Sequence, residues 1–226
     1  MQNKDYKLIV IEGVDSSGKQ TQSHLLEEKL KKERDVVSIS FPNYKSESSS
    51  VVKMYLNGDF GDNPNLISPY AASTFFAVDR FASINGEMKK YFSSSNIIIA
   101  DRYVTSNMVH QASKIHDLKE KDKFLDWLYD FEYNVMSHPK PDLVIFLDMP
   151  VEYARSLMKT RLNKIDNTSV KDIHERSKDH LQLSYDNAVY VANKYKWCTI
   201  KCVRDGQIRK INDISSEIYN KVKSIL

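Results

Sequence analysis

The 226-residue chain is 41% hydrophobic and 28% charged, with six glycines and six prolines, which is the composition of an ordinary globular protein and excludes a disordered or fibrous one. That length suits a single domain, residues 1–226, and nothing along it reads as a linker. A formal charge of +3 is too small to point to nucleic acid, and the basic residues alternate with acidic ones in runs such as "EEKLKKERD", as on a solvated helix face.

No stretch reaches the roughly 18 apolar residues of a membrane span. The opening "MQNKDYK" leads into a short apolar run already committed to a strand, not into a signal peptide, so a cytoplasmic protein without membrane contact is expected. Cys198 and Cys202 share one face of a strand-like run, "WCTIKCV", at a separation of about 13 Å, too far for a disulfide.

In chain order, "KLIVIEG" is the first apolar, β-branched run, and a helix over 21–32 follows with Leu25, Leu26 and Leu30 on one stripe. "DVVSISF" is the second strand. Ser68 as N-cap and Pro69 at the first helical position open a long helix through about residue 91. "NIIIADR", "DLVIFLD" and "CTIKCV" are three further strands, and helices are expected at about 104–115, 121–137, 151–162, 171–195 and 211–225. Between two of these helices, the polar "NKIDNTSVKD" (163–172) reads as a surface loop. Runs apolar on both faces and alternating with helices predict an α/β fold: a five-stranded parallel sheet flanked by helices in three layers, with ligands at the carboxyl ends of the strands.

The turn after the first strand carries chemistry. In "GVDSSGKQT", Gly13 and Gly18 stand five apart with Lys19 next, after a strand and before a helix: the phosphate-binding loop (P-loop) pattern. Glycines let successive backbone N–H groups point inward at phosphate oxygens. The helix adds its positive amino-terminal end, and Lys19 supplies a mobile cation. Gly13, Ser16, Ser17, Gly18, Lys19, Gln20 and Thr21 are therefore the expected ATP-binding set. Where this pattern usually has a Ser or Thr for Mg²⁺, the chain has Gln20, so the nearest metal candidates are the carboxylates of Asp15 and Asp101. Asp101 and Arg102 end the third run at the ligand-binding edge. A guanidinium there matches a second phosphate group.

The motifs "IEGVDSSGKQT", "FPNY" (41–44), "FFAVDRF" (75–81), "DRYVTSN" (101–107) and "PDLVIFLDMP" (141–150), in this order, resemble the thymidylate kinases, and the resemblance covers residues 7 to about 205. It implies a P-loop nucleoside-monophosphate-kinase-like fold that phosphorylates dTMP to dTDP with Mg·ATP by direct in-line transfer, in dTTP biosynthesis, and a homodimer. Carried over, it implies that Phe76 stacks on the thymine ring and that Arg80 hydrogen-bonds the carbonyl edge of that ring. Phe41 and Pro42 wall the monophosphate site, Tyr44 meets the phosphate, and Lys45 shares that work. Asn107 lies near the base, and Ser106 is a small residue lining the pocket. His110 falls where some relatives carry a tyrosine that screens the sugar 2′ position. Asp15 contacts the 3′-OH and the transfer centre, and Tyr185 closes over the nucleoside. Without the family, Phe76 reads as core and His110 as an ordinary helix histidine.

Some thymidylate kinases carry an arginine inside the loop, whereas others deliver a basic residue from a lid. Ser16 and Ser17 point to the lid type, with a lid segment at about 155–176. Its candidates are Arg161 and Lys164, with Lys171 and Arg176 less well placed. The catalytic set is then Lys19, Arg102, Asp15 and Arg161. The rivals are a thymidine-type deoxynucleoside kinase, which wants a carboxylate base where this chain has Phe41-Pro42, and a P-loop NTPase switch, which wants a guanine-reading Asn-Lys-x-Asp set that "FLDMP" (146–150) does not supply.

Overall fold

The computed structural model describes residues 5–61, 63, 66–94, 96–158 and 178–226, without the side chains of 178–180. Five strands, β1 (Lys7–Glu12), β2 (Val36–Ser40), β3 (Ile97–Asp101), β4 (Leu143–Asp148) and β5 (Cys198–Lys201), form one sheet in the order β2-β3-β1-β4-β5. Every pairing is parallel, with Ile9 opposite both Ile99 and Leu143. The central strands β3, β1 and β4 have no exposed residue, so alternate side chains feed two cores, whereas the outer strands β2 and β5 expose Ser38, Ser40, Thr199 and Lys201. Ile9, Ile11, Ile97, Ile99, Ile145 and Leu147 pack with Leu26 and Leu30 of α1 (Lys19–Leu30) and with Ile214, Ile218 and Val222 of α8 (Ile211–Lys223). Leu8, Val10, Ile98 and Ala100 turn the other way. They meet Met108 of α4 (Val104–His110) and Phe124, Leu125 and Leu128 of α5 (Leu118–Asp130). The expected three layers follow from this parity.

Between these lie α2 (Ser50–Asn57), α3 (Pro69–Asn85), α6 (Val151–Met158) and α7 (Lys178–Lys194). Ser68 caps α3 as its sequence predicts, accepting from the Ala71 N–H at 3.2 Å. The helix stops at Asn85, short of the expected 91, because Gly86 closes it through Ala82 O and a separate 3₁₀ turn, Lys89–Ser93, follows. The expected helix at 121–137 starts earlier, at Leu118 after the Asp117 cap, and ends in a wider turn over Phe131–Val135 where Met136 N–H reaches back to Phe131 O. The expected helix at 104–115 gives way after His110 to a 3₁₀ turn. The sequence reading placed neither α2 nor the hairpin of β6 (Val203–Arg204) and β7 (Gln207–Ile208). The proposed lid residues Arg161, Lys164, Lys171 and Arg176 lie outside the described residues.

The connection after β1 runs to β2 on one side, whereas that after β3 crosses to β4 on the other. The crevice at the carboxyl ends of β1 and β3 is therefore the topological switch point, where a sheet of this kind binds ligands.

Candidate active site

The loop leaving β1 is held in a tight curl. A Cβ on Gly13 would stand 2.6 Å from Ser17 Oγ and 3.1 Å from the Leu147 carbonyl, so the position admits only glycine. Gly18, at φ +92°, takes the left-handed conformation from which α1 starts, and nothing lies within 4 Å of where its side chain would be. Lys19 folds back over the loop and donates to Gly13 O at 2.7 Å and to Val14 O at 2.8 Å. Burial, reinforced by the nearby positive charge of Arg102 and opposed by Asp15, Glu12 and Asp101, pulls its pKa down to about 7.

Residues 16–22 line one side of a cavity of about 370 Å³, closed on the other by Met149, Leu157, Ile208 and Ile211. Gln20 and Thr21 are exposed at its rim, and apolar walls beside a phosphate loop suit a flat heterocycle attached to the phosphates. The hairpin that the sequence reading missed thus supplies part of the wall through Ile208. A second cavity, of about 430 Å³, lies toward the amino-terminal edge of β4 and β5, where Tyr129, Tyr195 and Trp197 line it; no expected site residue does.

Across the switch point, Arg102 follows β3 at φ +69°, a backbone conformation uncommon for a side-chain-bearing residue. Its guanidinium is ion-paired to the Asp15 carboxylate and donates from Nη1 to His110 Nε2 at 2.9 Å. Since a guanidinium has no acceptor, that ring nitrogen is the acceptor. Nδ1 then carries the proton and donates to Ser184 Oγ at 3.3 Å. Four expected site residues, Asp15, Lys19, Arg102 and His110, are thereby brought to one crevice. Asp101 joins them with a half-exposed side chain whose buried Oδ1 has no hydrogen-bond partner among the described residues.

That orphaned oxygen bears on the metal. Ser17 Oγ is likewise buried and unpartnered among the described residues, and like the carboxylates of Asp101 and Asp15 it is a hard oxygen donor, the chemistry Mg²⁺ prefers. No group of three or more His, Cys, Asp or Glu that could hold a metal occurs among the described residues, so the fit is to an ion carried largely by phosphates and water.

The other expected residues divide by neighbourhood. Phe41, in a cis peptide with Pro42, is buried against the Tyr103 ring at a centroid distance of 5.8 Å. Tyr44 and Phe76 pack beside Val52, Tyr55 and Ala72, with Phe76 edge-on to Tyr55 and only half-buried. Lys45 is exposed. Tyr185 donates to Asp148 Oδ1 at 2.7 Å, at the end of β4. Ser106 gives its hydroxyl to Glu12 Oε2 at 2.7 Å.

Arg80 and Asn107 are buried, and both bind Glu132. Arg80 donates to its carboxylate through Nε at 3.1 Å and through Nη2, and sends Nη1 to Tyr103 O at 3.4 Å. Asn107 Nδ2 donates to Glu132 Oε1 at 3.0 Å and to Ser73 O at 3.2 Å. His138 Nδ1 completes the cluster, 2.7 Å from Oε2. Burial alone would raise the Glu132 carboxyl, but the Arg80 charge and the bonds from His138 and Arg80 outweigh it and hold the pKa below the ordinary value.

Glu12 and Glu132 are two site residues that sequence reasoning missed. Glu12 has no exposed surface and binds Gly13 N–H at 2.9 Å, Thr105 Oγ1 at 2.8 Å and Ser106, tying the loop to α4. A signal for it existed: an acidic residue ending an otherwise apolar buried strand is rarely there without partners.

The family model described as thymidylate kinase matches residues 11–209. The chain belongs to the thymidylate kinase family. A thymidylate kinase of Mycobacterium tuberculosis (strain H37Rv) is 31% identical over 185 residues, 81% of this chain and 83% of that one. One from Plasmodium falciparum is 27% identical across 98% of this chain and 92% of its own. A solved thymidylate kinase from Candida albicans superposes with a TM-score of 0.70 over 96% of this chain and 91% of that one, at 22% identity, a likeness of fold.

Proposed function

We propose that the protein is a dTMP kinase, transferring the γ-phosphoryl group of ATP to dTMP to give dTDP and ADP. The observation that carries this reading is the presence of two cations on adjacent strand ends, Lys19 after β1 and Arg102 after β3, in a chain of this family. One serves the donor phosphates and the other the acceptor phosphate. A switch protein needs only the first, and a nucleoside kinase needs a carboxylate where Phe41 and Pro42 stand.

On this reading the triphosphate lies along the N–H groups of the loop, and Lys19 leaves the Gly13 and Val14 carbonyls to meet it. Arg102, steadied by Asp15 and His110, holds the dTMP phosphate in line. An oxygen of that phosphate attacks the γ-phosphorus while the bond to the β–γ bridging oxygen breaks and ADP departs. The attacking oxygen is already anionic near neutral pH, so positioning and charge stabilisation carry the rate, without a general base. Mg²⁺, near Asp101 and Asp15, neutralises charge on the transferring phosphates when bound. Phe76 and Arg80 take the base, Phe41, Pro42 and Tyr44 the monophosphate side, Ser106, Asn107 and His110 the nucleoside, and Tyr185 closes over it. Within a single kinase domain over 1–226, the lid at about 155–176 brings Arg161 or Lys164 to the γ-phosphate.

We place the enzyme in the cytoplasm as a homodimer. No helix among the described residues is long and apolar enough to cross a membrane, and Val51, Met54, Val78 and Phe81 expose apolar surface on α2 and α3. The test is an ADP-release assay with Mg·ATP and, separately, dTMP, dUMP, dCMP, UMP and thymidine. Strong turnover with dTMP and little with thymidine supports the reading, and turnover with thymidine, or with none of them, overturns it.

A further inference from the structure

Arg102 and Arg80 face different problems. A phosphate can balance the charge of Arg102, but a pyrimidine base is neutral and cannot balance that of Arg80, which is only 2% exposed. An unpaired guanidinium at that depth is strongly disfavoured. Glu132, with no exposed surface, supplies the missing charge from the wide turn that follows α5, 52 residues away along the chain.

The hydrogen-bond inventory shows what else it does. Arg80 has five N–H groups. Two are spent on Glu132 and one on the Tyr103 carbonyl, which leaves two N–H groups, one on each terminal nitrogen. Asn107 has both amide hydrogens engaged, one on Glu132 and one on Ser73 O, so its amide cannot be turned over. Oδ1 is the atom it has to offer, and that is an acceptor. The Glu132 oxygens each take two donors: Arg80 Nη2 and Asn107 on Oε1, Arg80 Nε and His138 on Oε2. The wide turn over Phe131–Val135 sets this carboxylate in place, and His138 N–H returns to the Glu132 carbonyl at 3.0 Å.

We propose that Glu132 is a positioning residue for base selection: it presents Arg80 as donor and Asn107 as acceptor, a pattern that fits a 4-oxopyrimidine with its N3–H and rejects a 4-aminopyrimidine. Thymine and uracil carry a carbonyl acceptor beside an N–H donor. Cytosine carries an amino donor beside a bare nitrogen acceptor, so both contacts become clashes of like with like. This assignment rests on the dTMP kinase reading. Its substance is that the selectivity resides in a side chain that never touches the base.

The test compares kcat/KM for dTMP and dCMP in the wild type and in Glu132→Gln, with the KM for ATP measured alongside. Gln keeps the shape but removes the charge and turns two acceptor positions into donors. The expected result is a fall in the dTMP/dCMP ratio of about tenfold or more, carried by KM for the nucleotide, with KM for ATP within about twofold of wild type. Glu132→Asp and His138→Gln keep a buried carboxylate, carry the test if the first variant does not fold, and should shift the same ratio by about threefold. A ratio unchanged in all folded variants, with lowered stability alone, makes Glu132 a structural clasp and overturns the proposal. A wild type inactive on dTMP refutes the function instead, and the two failures are told apart by that control.

Discussion

Arg102 rests against His110, whose Nε2 accepts its Nη1 hydrogen at 2.9 Å while Nδ1 is engaged by Ser184. The histidine thus acts on the arginine proposed to grip the acceptor phosphate. His110→Ala should raise KM for dTMP by roughly tenfold, the worth of one hydrogen bond to a charged group. His110→Gln, which keeps an acceptor, should lose less, and KM for ATP should barely move in either; initial-rate kinetics with each substrate varied check this.

Lys19 gives a proton-linkage prediction. Its pKa of about 7 in the resting site must climb when polyphosphate replaces the loop carbonyls as its partner, so ATP binding near pH 7 to 8 should take up a fraction of a proton. Calorimetry in two buffers of different ionisation enthalpy measures this uptake, which Lys19→Met should reduce.

The sign for stability follows from the same residue. The unfolded lysine titrates near 10.5 and the folded one near 7, so between those values the unfolded chain binds more protons. The contribution of Lys19 to stability therefore improves as pH rises through that window. Urea unfolding at pH 7 and pH 9 should show Lys19→Met gaining most over the wild type at the lower pH.

The two loop glycines should fail differently. Gly13→Ala forces a methyl to 2.6 Å from Ser17 Oγ and 3.1 Å from a backbone carbonyl, so the loop must open and ATP affinity should drop by more than about tenfold. Gly18→Ala meets nothing, and its cost is the left-handed backbone alone, about 1–2 kcal/mol, read as a lowered melting temperature with weaker loss of ATP binding.

Glu12→Leu strands the Gly13 N–H and two hydroxyls in a buried place. A loss of about 2–4 kcal/mol in urea unfolding is expected, with ATP affinity falling because the loop loses its anchor to α4.

What the sequence made legible was local. The β1 run, Gly13, Gly18 and Lys19 are consecutive, and their spacing alone describes a strand, a curl and a helix. Ser68 and Pro69 announce α3 in the same way. The end of α3 was misjudged because Gly86 stops it while apolar residues continue to Tyr91 and Phe92 in a tighter turn. The hairpin before α8 was missed because two-residue strands are too short to show alternation. Phe76 and Arg80 are singled out only by the family resemblance, and Glu132 lies in "DFEYNV", a stretch that looks like any amphipathic helix end, where no periodicity tells that its carboxylate turns inward to a residue 52 positions earlier. Contacts between distant segments are set by how helices stack on the sheet, and no single-sequence pattern encodes them.

Three neighbouring residues of α7 reach in three directions. Ser184 holds His110 and so steadies Arg102, Tyr185 holds Asp148 at the end of β4, and Asn187 caps the Met108 and Val109 carbonyls of α4 at 2.9 and 2.7 Å. A helix gripping three parts at one level works as a spindle. The support of Arg102, the α4 backbone and the end of β4 therefore all pass through one turn of a single helix, and on the proposed function both halves of the acceptor site share that mounting.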